Sequence, residues 1–224
     1  MDILVLVAGT NEPSNSNMLA DAFIQGMQQE HTIRVQKKRL KDLTIDHFSI
    51  DDYAPQCKQE EDFCALQELL QKSSGFVIAT PVWNFSVPAH LKNFIDRMGS
   101  FALDASRSKG TLAGKPFYLI FTGGAPMPAW KGLMQKTCSH VPESLKYFGA
   151  SYMGHHFEGK CTLGKGKFGI VVDERPESLT SLRAQGHAFA KVVKVYHETG
   201  KAPIRQRAHA AIMRWGEAVL KKVS

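Results

Sequence analysis

Three short runs of the chain are built almost wholly of apolar and aromatic residues: Ile3–Val7, Phe76–Ala79 and Phe117–Phe121. Successive side chains of a strand point to opposite faces. A strand can therefore be apolar throughout only where both faces are covered, as inside a parallel sheet with helices on either side. Between these runs, apolar residues return at helical spacing: Leu19, Ala22, Phe23 and Met27, then Leu66, Leu69 and Leu70, then Leu91, Phe94, Ile95 and Met98. His31–Arg39 contains a second strand, charged and hence peripheral, and Ser151–Phe157 reads as a fifth. A helix across Trp130–Tyr147 is expected to kink or restart at Pro142. A last helix carries Leu182, Gly186, Phe189, Val193 and Tyr196 and ends at Gly200. Five strands alternating with helices predict an α/β fold with a doubly wound, five-stranded parallel sheet.

The 224 residues suffice for one such domain with additions. Residues 1–200 form the domain on this reading. Residues 201–224 form a C-terminal helical extension, with Ala208, Ile212, Trp215 and Val219 on one face, packed on the same domain or on a partner subunit. Lys160–Asp173, rich in Gly and Lys, is a second addition. No apolar run reaches the roughly 20 residues a membrane-spanning helix needs. The apolar start is short and lacks a basic flank, so it reads as a buried strand and not a secretion signal, and the expected location is the cytoplasm. Cys57, Cys64, Cys138 and Cys161 match no zinc or iron–sulfur spacing, so they read as reduced structural thiols and no metal site is expected. The net charge of +7 suits anionic small molecules as well as nucleic acid, and net charge alone does not choose between them. Lys37-Lys38-Arg39 has no interleaved aromatics, so nucleic acid is not the expected partner.

Three loops carry the chemistry. The first, Ala8-Gly9-Thr10-Asn11-Glu12-Pro13-Ser14-Asn15-Ser16-Asn17-Met18, joins strand one to a helix. Small hydroxyl and amide residues before a helix N-terminus suit a phosphate, because free N–H groups and the positive dipole end meet there. N-capping by Ser14 or Ser16 is the simpler use of the same residues. The second loop, Thr80-Pro81-Val82-Trp83-Asn84-Phe85-Ser86-Val87-Pro88, offers aromatic area beside an amide, which suits a flat heteroaromatic ring. The third, Phe121-Thr122-Gly123-Gly124-Ala125-Pro126, lets backbone approach a ligand closely. In the order 2-1-3-4-5, strands one and three flank the point where the strand order reverses, so all three loops converge on one crevice.

The second loop and its helix, Pro81-Val82-Trp83-Asn84-Phe85-Ser86-Val87-Pro88-Ala89-His90-Leu91-Lys92-Asn93-Phe94-Ile95-Asp96-Arg97, resemble the flavodoxin-like NAD(P)H-dependent FMN reductase and quinone reductase family. Gly9-Thr10 with Ser16-Asn17 resembles that family's phosphate loop, and Leu112–Pro116 with Thr122-Gly123-Gly124 its fourth strand and following loop. The resemblance implies a flavodoxin-like fold, bound FMN, and NADPH or NADH as co-substrate. It implies that Thr10, Ser16, Asn17 and Met18 hold the phosphate. Pro81, Val82, Trp83, Asn84 and Phe85 then line the isoalloxazine, and Thr122, Gly123 and Gly124 approach its other edge. Electrons then pass to a quinone, flavin, azo or similar small-molecule acceptor, and the chain assembles as a homodimer or homotetramer. No catalytic side chain is needed, because the flavin carries the chemistry. Two departures stand out: Glu12 where the family loop often has Arg, and Trp83 for the usual Tyr.

Other signals weigh less. Gly164–Gly169 spells G-x-G-x-x-G, but the strand-like Ile170-Val171-Val172 follows where a helix should open, so the segment reads as a basic hairpin. His155 and His156, adjacent on a strand, point to opposite faces. The competing functional classes are a non-enzymatic flavodoxin-type electron carrier, which is usually acidic, and a regulatory binding protein on the same fold.

Overall fold

The computed structural model describes residues 1–54, 59–164, 167 and 169–202. Cys57, the stripe through Trp215, and all but the first two residues of the expected extension lie outside them.

Five strands, β1 (Asp2–Val7), β2 (Arg34–Arg39), β3 (Gly75–Pro81), β4 (Pro116–Thr122) and β5 (Ser151–Glu158), form one sheet in the order β2-β1-β3-β4-β5. All four pairings are parallel. The helices are α1 (Asn15–Met27), α2 (Glu61–Lys72), α3 (Ala89–Arg97), α4 (Gly99–Ala102), α5 (Met127–Ala129), α6 (Gln135–Thr137), α7 (His140–Tyr147) and α8 (Pro176–Thr199). The topology is the expected one. Ile3, Val5 and Val7 pack with the buried faces of α1 and α8. Leu4 and Leu6 pack with those of α2, α3 and α7. The uninterrupted apolar run of β1 thus serves two cores at once, while β2 lies at the edge and alternates exposed with partly covered residues.

Helices α1 and α8 touch backbone to backbone. A Cβ on Gly26 would lie 2.0 Å from the Arg183 carbonyl oxygen, and one on Gly186 2.1 Å from that of Phe23, so neither position accepts a side chain. Helix α8 ends as expected, with Gly200 left-handed at φ 65° and its N–H on the Tyr196 carbonyl at 2.7 Å.

Two local readings are corrected. The helix expected over Trp130–Tyr147 passes through a π-helical turn at Trp130–Met134 and breaks at Cys138–Ser139, not at Pro142. Pro142 sits in the first turn of α7, where an N–H is not needed. Ile170-Val171-Val172 is not a strand: Val172 begins a short 3₁₀ turn, and the backbone before it is held by a side chain of α1. The base of the expected hairpin is present, as a Gly164–Lys167 bridge. Among the described residues no helix is long and apolar enough to cross a membrane.

Candidate functional site

The carboxyl ends of β1, β3 and β4 lie side by side, and their loops enclose a crevice of about 110 Å³. The first wall is Gly9–Ser16. A Cβ on Gly9 would fall 2.2 Å from the Ser16 hydroxyl oxygen and 2.6 Å from that of Ser14, so the loop folds tightly only around glycine. The two buried hydroxyls lie 3.1 Å apart. Ser14 caps α1 by accepting the Asn17 N–H at 3.3 Å, and its carbonyl takes the Met18 N–H at 3.1 Å. The N–H groups of Asn15 and Ser16 remain without an acceptor among the described residues, at the positive end of the helix dipole.

Glu12 lies outside the lining of this crevice and does not stand alone. Its carboxylate accepts hydrogen bonds from Arg39, at the end of β2, and from Lys41 at 2.6 Å. These two bonds hold its pKa below the usual carboxylate range. Arg39 also donates to the carbonyls of Gly9 at 3.3 Å and Asn11 at 3.4 Å. Two cations on one carboxylate leave the rim of the loop net positive.

The second wall is a tight turn. Trp83 and Ser86 exchange backbone hydrogen bonds at 2.8 and 2.9 Å, and the residues between them, Asn84 (φ 49°) and Phe85 (φ 63°), are both left-handed. Such a pair is the signature of a primed hairpin turn. The Thr137 hydroxyl donates to the Phe85 carbonyl and holds the turn from outside. From the base of the same loop, His90 Nε2 donates to the Ala8 carbonyl at 2.9 Å, tying α3 to the first wall.

The third wall is Thr122-Gly123-Gly124. The Gly123 N–H bonds to the Glu158 carbonyl, and the chain leaving β5 continues the pairing: Cys161 N–H reaches Gly123 at 2.9 Å and Lys160 N–H reaches Ala125 at 3.1 Å. This brings Cys161 and Thr162 into the lining.

A family model for the flavodoxin-like fold matches residues 1–165. The chain belongs to the flavodoxin-like fold family. An FMN-dependent NADH:quinone oxidoreductase of Pseudoalteromonas atlantica is 30% identical over 139 residues, covering 55% of this chain and 69% of the relative. Two solved structures share the flavodoxin-like fold. An NAD(P)H:quinone oxidoreductase from Methanothermobacter marburgensis superposes with a TM-score of 0.67 at 16% identity, over 84% of this chain and 96% of that one. An FMN-dependent NADH-azoreductase from Bacillus anthracis, in complex with FMN, does so at 0.61 and 13%, over 85% and 98%.

Of the residues singled out in the sequence, Ser16, Pro81, Val82, Trp83, Thr122, Gly123 and Gly124 line this crevice of the flavodoxin-like fold. Asn17 and Met18 instead line a neighbouring cavity of about 350 Å³ beside α1 and the start of α8. Asn84 and Phe85 build the turn that carries Trp83, and Thr10 follows Gly9 without lining either cavity. Gly9, Asn11, Ser14, Asn15, Cys161 and Thr162 also line the crevice. The first four lie in the loop already singled out. Nothing local in the sequence marks the last two.

Beneath the third wall lies a buried charge cluster. Burial alone would raise the Glu158 carboxyl, but hydrogen bonds from His156 and Arg175 hold it down to about 2. His155 lies on the opposite face, as expected, against Trp130 and bonded to the Tyr152 hydroxyl at 2.6 Å. Burial pushes the Cys161 thiol up to about 11, so it stays protonated. No group of three or more potential metal ligands is found among the described residues.

Proposed function

We propose that this chain binds one FMN in the crevice and acts as an NAD(P)H-dependent oxidoreductase. NADH or NADPH is the donor, and a quinone, free flavin, azo compound or similar small molecule is the acceptor. The observation that carries the reading is the convergence of Gly9–Ser16, Pro81–Trp83 and Thr122–Gly124 on one crevice at the strand-order reversal. The FMN and NADH named for the Pseudoalteromonas relative support it.

The residues fit the group. Ser14, Ser16 and the N–H groups of Asn15 and Ser16, without an acceptor among the described residues, suit a dianionic phosphate. The N–H groups of Asn17 and Met18 are already engaged by Ser14, which confines the phosphate to the Gly9 side of the loop. Pro81, Val82 and Trp83 offer a flat apolar wall, and Gly123 and Gly124 give backbone access to the opposite edge of a ring. FMN, when bound, accepts a hydride from the nicotinamide and delivers electrons to the acceptor. The protein's part is to hold the ring with one face open; Trp83, 41% exposed, lines the crevice, and Phe85, 57% exposed, stands in the same turn.

Cys64, Cys138 and Cys161 are free thiols, which supports a reducing compartment such as the cytoplasm. Exposed Trp83, Phe85, Met127 and Leu133 support assembly as a homodimer or homotetramer.

The test is an absorption spectrum of the purified chain after incubation with FMN and gel filtration, followed by NADH and NADPH oxidation with a quinone acceptor. A protein that retains no flavin sinks the proposal.

A further inference from the structure

The segment after β5 is fastened to the crevice at both ends. At its start, Arg175 donates to the Gly159 carbonyl at 2.7 Å and the Lys160 carbonyl at 2.9 Å, and Cys161 pairs with Gly123. At its end, the Asn15 side chain makes three bonds across more than 150 residues of chain. Its Nδ2 donates to the Gly169 carbonyl at 2.7 Å, and its Oδ1 accepts the N–H groups of Val171 at 2.9 Å and Val172 at 3.3 Å. Asn15 is the first residue of α1, where the phosphate seat has been placed. The segment therefore bridges the first and third walls.

Thr162 stands on that bridge. It lines the same crevice as Ser14 and Ser16, and its methyl carbon would be 3.2 Å from a Cβ on Gly124, so glycine there gives it room. Its hydroxyl has no protein partner among the described residues. The described residues of the segment add Lys160 and Lys167, a charge that favours an anion.

We infer that Thr162 is a phosphate-binding residue of the cofactor site, its hydroxyl donating to the FMN phosphate, and that Asn15 is the positioning residue that holds Thr162 there. The inference rests on the FMN reading above. A side chain that only braces the fold would weaken every flavin alike. A phosphate ligand separates FMN from riboflavin, which shares the ring and lacks the phosphate.

The experiment titrates flavin-free full-length protein with FMN and with riboflavin, following flavin fluorescence. Thr162→Val is expected to weaken FMN about tenfold, the scale of a hydrogen bond to a charged group, and to leave riboflavin unchanged. Thr162→Ser, which keeps the hydroxyl, is expected to restore FMN binding. Asn15→Ala is expected to lower the FMN-over-riboflavin preference by a similar factor. In the Asn15→Ala background, Thr162→Val is expected to add less than about twofold, because coupled residues do not add. Thr162 is exposed, so its variants test the inference without threatening the fold. Three results overturn it: unchanged FMN affinity in Thr162→Val, equal weakening of both flavins, or fully additive effects of the two substitutions. Wild-type protein that takes up neither flavin overturns the FMN reading and this inference with it. Wild-type uptake with unaltered variants overturns this inference alone.

Discussion

The Thr137 hydroxyl donates to the carbonyl oxygen of Phe85, and with that bond the helical segment after β4 grips the turn after β3. Among the described residues the Cys138 thiol, at 3.9 Å, offers the same carbonyl its second donor. Thr137→Val keeps the shape and removes the donor. Loss of one neutral hydrogen bond, about 1 kcal/mol, is expected to loosen the turn carrying Trp83. The measurable outcome is a KM for the quinone acceptor raised about fivefold, with flavin content unchanged. An unchanged KM would show that the turn holds itself.

Phe85 is held left-handed at φ 63°, a conformation that a bulky side chain adopts at a cost of roughly 1 kcal/mol. In a primed turn, glycine is favoured at this second central position. Phe85→Gly is therefore expected to stabilise the fold by up to about 1 kcal/mol and to lower acceptor turnover, since the exposed ring in the turn that carries Trp83 is lost. Thermal melting and steady-state kinetics of one preparation check both halves. A melting point that falls would contradict the strain argument.

Both core faces and the end of α8 were legible because each follows from a local period or a single glycine, whereas the sheet order came with the doubly wound, flavodoxin-like fold that the resemblance implies. The peripheral place of β2 was legible from its charge. The break at Cys138–Ser139 was not, since proline is a strong breaker only beyond the first turn and Pro142 lies within it. The left-handed Asn84-Phe85 pair was hidden because phenylalanine is a poor residue for that conformation, and the contact that fixes it comes from Thr137, 52 residues on. The Asn15 bonds to Gly169, Val171 and Val172 were hidden for the same reason: an asparagine before a helix reads as a cap, and its partners lie about 155 positions away. Convergence of the three loops, in contrast, needed only the strand order.

Glu12 replaces the arginine of the resembled loop, yet Arg39 and Lys41 neutralise it twice. Glu12→Gln removes one negative charge from the loop proposed to hold the phosphate and leaves both cations in place. FMN is expected to bind about threefold more tightly at low salt, with the gain shrinking as salt screens the rim. Titrations at two ionic strengths decide this. Weaker binding at both would assign Glu12 a role in shaping the loop.

Two carboxyls link stability to acid. Glu60, through its hydrogen bonds with Arg97, and Glu158, through His156 and Arg175 against the cost of burial, are each held at about 2, below the ordinary 4.5. A carboxyl with a depressed folded pKa stabilises the fold fully above its unfolded value and ceases to do so as pH falls through the folded one. The melting temperature is expected to hold above pH 4.5 and to fall steadily from there to pH 2. In Glu158→Gln that slope is expected to be shallower. An equally steep slope in the variant would remove Glu158 from the account.

Arg97 closes the resembled motif, and its guanidinium is 1% exposed. It pairs bidentately with Glu60, donates to the Asp46 carbonyl at 3.1 Å and lies 4.2 Å from the centre of the Phe63 ring. It therefore fastens the segment between β2 and α2 onto α3, the helix that carries the second wall. Removing one partner of a buried pair leaves the other charge uncompensated, at a cost of about 3–5 kcal/mol. Arg97→Met is expected to lower stability on that scale in denaturant titrations. Arg97→Met with Glu60→Met, which removes both charges of this pair but also takes the Arg97 cation, 3.8 Å away, from Asp52, is expected to recover part of the loss. A double variant as unstable as the single one would mean that packing on Phe63 and the bond to Asp46 matter more than the ion pair.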